Sequence, residues 1–250
     1  MLKIITTLTM FAIGLLAQAQ VSESKTVSPF SKIEISNGVE LIYTESQKAS
    51  ITAEASTAKA LTTLVVRFTG KTLSISKTSS EPVKVYVAAS GVKAIRASQG
   101  ATVKITNQLS ADNISVAMVS GSVFNGTIVS EKASLAAKSE SIMNVRVQTK
   151  NLAGNFAGKS KVNLSGAAHT ATINSQSGAL CHARNFIADQ VSVIAESESD
   201  VSIYAGHDLN ICATDRAKVT YFGTPGKVML TPETMMLRKI SGNGRLVTEN

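Results

Sequence analysis

Asn125, Asn144, Asn163 and His182 recur at intervals of 19 residues. Amides and an imidazole stacked at a fixed interval can bond to one another as a stiffening ladder, or offer donors and acceptors to a polar ligand. Two positions along each segment stand Thr127, Arg146, Ser165 and Arg184, with Tyr204 in the next segment. Guanidiniums beside amides suit an acidic or hydroxyl-rich ligand such as a polysaccharide, because the planar fork matches paired oxygens. The candidate binding residues are therefore Asn125, Asn144, Arg146, Asn163, His182, Arg184 and Tyr204. Ladder and binding face are compatible readings of the same residues.

Other chemistry finds less support. His169, His182 and His207 are dispersed, and neither an HxxH nor a CxxC pattern occurs, so no metal or cofactor is expected. Glu196, Glu198 and Asp200 alternate at one bend. Calcium needs six or more oxygens and a glycine-bearing loop, so a solvated acidic corner is the simpler reading. Asp189, Asp208 and Asp215 are the late acids from which a hydrolytic pair could be drawn, and the spacing places no two of them on one face. Serine is too common and histidine too scattered to mark a Ser-His-Asp set. With no Trp and only 4% aromatic residues, a sugar-stacking groove is not expected. The expectation is a non-catalytic protein; the alternative is a polysaccharide-active β-helix enzyme, lyase or hydrolase.

These residues need a scaffold that repeats as they do. Val103, Phe124, Met143, Val162, Cys181, Val201 and Val219 fall in one column, separated by 21, 19, 19, 19, 20 and 18 residues. Ile105, Gly126, Val145, Leu164, Ala183, Ile203 and Tyr221 form a second column two places on, and the polar column runs between them. A period of this length marks a repeat architecture, and the alternation inside each segment marks strands with one buried face. A second strand per repeat is marked by Ile114-Ser-Val116, Leu135-Ala-Ala137, Ala171-Thr-Ile173, Val191-Ser-Val193 and Leu209-Asn-Ile211. Serines gather at the bends, at Ser98, Ser120, Ser139, Ser160, Ser177 and Ser197, where they tolerate tight corners and bond to backbone.

A coil of about 19 residues at roughly 3.3 Å per strand residue closes into a narrow tube whose successive coils pair as parallel strands about 4.8 Å apart. The fold class is all-β: a single-stranded parallel β-helix (solenoid) with N-terminal antiparallel strands capping one end. The cap is assigned to residues 30–90, where Asn37-Gly38 and Thr69-Gly70-Lys71 read as hairpin turns, and the coils to residues 91–247. The tail adds strands at Val228–Leu230 and Met235–Leu237 and a corner at Ser241–Gly244.

Met1-Leu2-Lys3, the apolar run Ile4–Leu16 and Ala17-Gln18-Ala19 read as a signal peptide over residues 1–19, leaving 20–250 as one domain. The run is too short to span a membrane. A formal charge of +8 spread without any run of five basic residues reads as a solvated surface, and nucleic acid is not an expected partner. Cys181 sits in an inward column, whereas Cys212 follows Leu209 and Ile211 with its side chain pointing out. Two free thiols on different walls are expected rather than a disulfide.

Further residues carry a family resemblance. Phe30-x-x-Ile33-x-Ile35 with Gly38-Val39, Leu73-x-Ile75 after Gly70, the Ser-Gly corners, and Val219-x-Tyr221-x-Gly223-x-Pro225 with Ser241-Gly-x-Gly244 resemble one family. It is the exported bacterial family described as "putative auto-transporter adhesin, head GIN domain", frequent in Bacteroidetes. The resemblance implies a right-handed parallel β-helix, export to the cell envelope (periplasm, outer membrane or cell surface) and no catalytic residues to carry over. Ser139-Glu140, Ser160-Lys161 and Asp215-Arg216 depart from its Ser-Gly corners. A C-terminal membrane barrel is not expected in the 25 residues after Pro225. Partners expected are an envelope or host polysaccharide or a matrix protein, with no transmembrane segment in the mature chain; rods could associate as a homo-oligomer through their ends.

Overall fold

The computed structural model describes residues 21–25, 29–231 and 245–247. The signal peptide, the Met235–Leu237 strand and the Ser241–Gly244 corner expected from the sequence lie outside the described residues. The chain runs through β1 (Val21–Lys25), β2 (Lys32–Ile35), β3 (Glu40–Glu45), β4 (Ser50–Ala55), α1 (Ala58–Thr62), β5 (Leu64–Thr69), β6 (Thr72–Lys77) and β7 (Val83–Ala89). It continues through β8 (Ala94–Ala97), β9 (Thr102–Ile105), β10 (Leu109–Ser110), β11 (Asn113–Met118), β12 (Val123–Val129), β13 (Lys132–Ala137), β14 (Ile142–Gln148) and β15 (Asn151–Phe156). The long strands β16 (Lys161–Ser175), β17 (Leu180–Ala195) and β18 (Asp200–Ala213) follow, then β19 (Lys218–Phe222), β20 (Lys227–Leu230) and β21 (Arg245–Val247).

Two parallel walls make a solenoid. The first stacks β7, β3, β9, β12 and β14, then the N-terminal halves of β16, β17 and β18, then β19. The second stacks β6, β2, β8, β11, β13 and β15, then the C-terminal halves of the long strands, then β20. The column from Val103 to Val219 is in register as the spacing predicts, and each of its side chains is fully buried. On the second wall Ile95, Val116, Leu135, Gly154, Ile173, Val193 and Ile211 stack in register. Leu135 therefore lies over Val116, and Ala133 over Ile114, one pair away from the alignment drawn from sequence. The inward columns are mostly Val, Ile and Leu, with Phe124, Phe156 and Phe186 filling the wider places, so truncating a member such as Leu135 to Ala costs about 3 kcal/mol through lost burial and the cavity left behind.

The corner between the walls explains the serines and glycines. At eight positions two consecutive residues have positive φ: Asn37-Gly38, Gln99-Gly100, Ser120-Gly121, Ser139-Glu140, Gly158-Lys159, Ser177-Gly178, Ser197-Glu198 and Asp215-Arg216. The corners also bond to one another: Gly100 N–H donates to the Ser120 carbonyl and Gly121 N–H to that of Ser139, both at 2.9 Å, and Glu140 N–H to that of Gly158 at 2.8 Å. Just inside, Ser122 and Ser141 are buried and donate to the carbonyls of Ala97 and Met118 one coil below, both at 3.1 Å. From Gly38 to Glu198 a backbone N–H of each corner is thus satisfied by the neighbouring coil, as buried backbone requires.

The N-terminal end differs from the sequence reading. Asn37-Gly38 is a solenoid corner rather than a hairpin turn: β2 pairs in parallel with both β6 and β8, and β3 with both β7 and β9. Among the described residues antiparallel pairing is confined to β4 on β7, β5 on β6, β1 on β4 and β21 on β19. The cap is thus β1, β4 and β5 with the one-turn α1, and the parallel walls begin at residue 32. Cys181 is buried on the first wall and Cys212 half-buried on the second, both as free thiols.

Candidate functional site

The outward positions of the first wall lie between its two inward columns because side chains alternate across a strand. Asn125, Asn144, Asn163 and His182 stand opposite one another on successive coils. Asn144 Nδ2 donates to Asn125 Oδ1 at 2.8 Å, and Asn163 Nδ2 donates to Asn144 Oδ1 at 2.7 Å. Lys104 sits beneath Asn125 on the same column. The ladder ties three amides together, yet each has two N–H groups and two lone pairs, of which Asn144 spends one of each, Asn125 one lone pair and Asn163 one N–H on a neighbour.

A shallow groove of about 380 Å³ opens along this ladder, lined by Asn144, Arg146, Asn163, Ser165, His182, Arg184 and Asn185 with Val145 and Leu164 at its floor. It gathers five of the seven residues expected from the sequence; Asn125 lies below it and Tyr204 beyond it. Its lining carries two guanidiniums and an imidazole and none of its lining residues is acidic, so the groove favours anions and hydroxyls over cations.

Arg184 is not where a constant period would put it. Asn163 pairs with His182, but Ser165 pairs with Asn185, so β17 carries an extra residue. Toward β18 the slip is larger: Ala183 pairs with Ile203, and Tyr204 with Ile187. Arg184, Asn185 and Phe186 form a bulge in which Phe186 is buried while the other two side chains are exposed. Bulges re-aim side chains in this way. The Arg184 guanidinium lies over the Phe222 ring, 4.5 Å from its centre. Tyr204 and Phe222 are paired neighbours. A Cβ at Gly223 would come within 2.3 Å of the Ala205 carbonyl oxygen and 3.0 Å of the Tyr204 ring, so only glycine lets the chain pass there. Two aromatic residues therefore stand on successive coils just beyond the groove, which their scarcity in the sequence did not suggest; the signal was the Tyr-x-Gly-x-Pro ending together with the 20-residue step from Cys181 to Val201.

Elsewhere, the histidines are less dispersed than their spacing implies: His169 Nδ1 lies 3.0 Å from Asp189 Oδ2 and His207 Nδ1 lies 3.7 Å from Asp189 Oδ1, all three side chains being well exposed. Among the described residues no group of three or more His, Cys, Asp or Glu side chains is arranged to hold a metal ion. Of the acidic corner, Glu198 pairs with Arg216. A second groove of about 440 Å³ on the other wall is lined by Asn155, Asn174, Lys138, Glu196 and Ile194 among others. There Asn174 Nδ2 donates to Asn155 Oδ1 at 3.1 Å, a second amide pair at the same 19-residue spacing. Among the described residues no helix is long and apolar enough to cross a membrane.

Three solved structures share this architecture. A protein described as a "putative adhesin" from Parabacteroides merdae is 15% identical with a TM-score of 0.78, covering 84% of this chain and 93% of its own. A "putative lipid binding protein" from Parabacteroides distasonis is 16% identical with a TM-score of 0.74, covering 85% and 94%. A "putative adhesin" from Bacteroides fragilis is 18% identical with a TM-score of 0.63, covering 84% and 92%. Identities this low speak for the fold alone. No curated protein matches the chain. The family model described as "Putative auto-transporter adhesin, head GIN domain" matches residues 29–225, nearly the whole solenoid, and the chain belongs to that family.

Proposed function

We propose that the protein is a non-catalytic component of the cell envelope or cell surface, exported by its leader, that holds a polar partner in the groove of the first wall. One observation carries this reading: amides, an imidazole and two guanidiniums line a groove without an acidic residue, on a scaffold whose rungs are locked by backbone hydrogen bonds. Fixed donors lose little entropy on binding, which is what a recognition surface needs. The family description as an adhesin and the neighbours described as adhesins fit the same role. An anionic partner is favoured, an envelope or host polysaccharide before a matrix protein.

The test is binding of the purified full chain to panels of immobilised polysaccharides and matrix proteins, with Arg146→Ala and Arg184→Ala made singly and together. Binding that falls about tenfold or more in the double variant, at unchanged melting temperature, supports the groove. Unchanged binding moves the site elsewhere. A second reading, polysaccharide cleavage, is favoured only by Asp189 standing between His169 and His207. Release of reducing or unsaturated ends that disappears in Asp189→Asn would put it first.

A further inference from the structure

We infer that the ligand is a linear acidic polysaccharide lying along the axis of the rod, with one acid group on Arg184 and a sugar ring against Tyr204, beside the Arg184–Phe222 stack. This deepens the reading above and rests on it.

The direction follows from the lining. Asn144 and Arg146 belong to β14, Asn163 and Ser165 to β16, and His182 and Arg184 to β17, so the groove crosses three successive coils instead of following one strand. A ligand in it meets a new polar group at each rung, about every 4.8 Å. A linear chain of sugars presents hydroxyls at a comparable repeat, and the spare N–H groups and lone pairs of the amide ladder face it at each step.

Beyond the polar section the surface turns apolar and aromatic. Ile187, Tyr204 and Phe222 are paired rung to rung on one outward column. Ile187 is 52% exposed, and Tyr204 and Phe222 are half-buried. An apolar and aromatic strip beside hydrogen-bonding groups is what a pyranose needs, since its C–H face and its hydroxyl edge require opposite surroundings. From β14 to β19 is four steps, about 19 Å, enough for roughly four sugars.

Arg184 joins the two sections. Stacked on Phe222 at 4.5 Å, its guanidinium has one face covered, so its N–H edge is the part free to grip a carboxylate or sulfate bidentately. The bulge that displaces it by one residue from the ladder register is the structural reason it reaches the aromatic end. Arg146, backbone two rungs below, offers a second anion contact, which suits a polymer carrying acid groups at regular intervals.

The experiment is calorimetric titration of the full chain with a size series of oligouronates, matched neutral oligosaccharides and a sulfated polymer. Affinity should climb from two sugars to about four and then level, with neutral oligomers weaker, and should fall with added salt. Tyr204→Ala should lower tetramer affinity about five- to tenfold, and Tyr204→Phe, which keeps the ring, should restore most of it. Acidic oligomers that bind through Arg146 with no dependence on length or on Tyr204 would overturn the axial and aromatic arrangement while leaving an anion groove. Binding of an acidic matrix protein but of no saccharide would overturn the ligand class. Absence of any binding that depends on Arg146 or Arg184 would remove the groove itself.

Discussion

Asn163 donates its side-chain amide to Asn144 across one coil, at 2.7 Å. The bond runs parallel to the backbone ladder and adds a side-chain rung to it. Asn144 also donates to Asn125, so Asn144→Ala removes two bonds at once. Because water can reach the half-exposed partners, the loss should be about 1–2 kcal/mol and not the larger cost of orphaned buried groups. A lowered urea midpoint at unchanged slope is the expected result; an unmoved midpoint would mean that the ladder contributes no stability.

The second wall offers the opposite experiment. Asn174 Oδ1 is buried without a partner, and the residue paired above it is Ile194, which is 39% exposed. An amide at that position would supply the missing donor and remove apolar surface from water. Ile194→Asn should therefore stabilise by about 1 kcal/mol, whereas Ile194→Ala, which supplies no donor, should not. Thermal melts of both variants separate the donor effect from the loss of the isoleucine.

Corner torsions give a third prediction. Glu140 holds φ of 62° with a side chain that disfavours that region, and Gly121 holds 69° in the corner below with nothing within 4 Å of a Cβ built on it. Glu140→Gly should gain, and Gly121→Ala should lose, up to about 1 kcal/mol, since both act through backbone preference alone. Equal and opposite shifts in denaturation midpoint would verify it; like-signed shifts would point to side-chain contacts at the corners.

Cys181 makes stability depend on alkaline pH. Burial pushes its thiol from the ordinary 9.0 up to about 12, because a thiolate in the dry core is disfavoured. The unfolded chain releases that proton first, so the contribution is complete below pH 9 and declines as pH rises from there toward 12. Cys181→Ala should flatten that decline in unfolding free energy measured against pH, after allowing for the cavity it leaves. In the folded protein at pH 8 a thiol reagent should titrate one cysteine, Cys212, because Cys181 has no exposed surface.

The parts legible in the sequence were those governed by a strict period. Val103 to Val219, and Asn125 to His182, fall into register because 19 residues make one coil and the pleat sets in and out. Two local features broke the reading. Asn37-Gly38 supplies two left-handed residues, the same torsions a two-residue hairpin needs, and local sequence cannot say whether the next strand pairs back or starts a new coil. The 20-residue step from Cys181 to Val201, followed by 18 to Val219, conceals the bulge that moves Arg184, Asn185 and Phe186. The same uneven steps hid the meeting of His169 and His207 at Asp189. Pairwise register, unlike period, depends on where within a coil the extra residue is absorbed.

Strands β2 and β3 are made before either of the coils that flank them, since residues 72–89 cover one edge and residues 94–105 the other. The earliest part of the solenoid must then wait, open on both sides, until the chain is available as far as about residue 105. Every later coil is laid onto a finished surface as it emerges. Extra nineteen-residue units spliced in beyond β9 would lengthen the rod without rerouting anything, whereas the same insertion between β3 and β8 would separate partners that have to enclose what came before them.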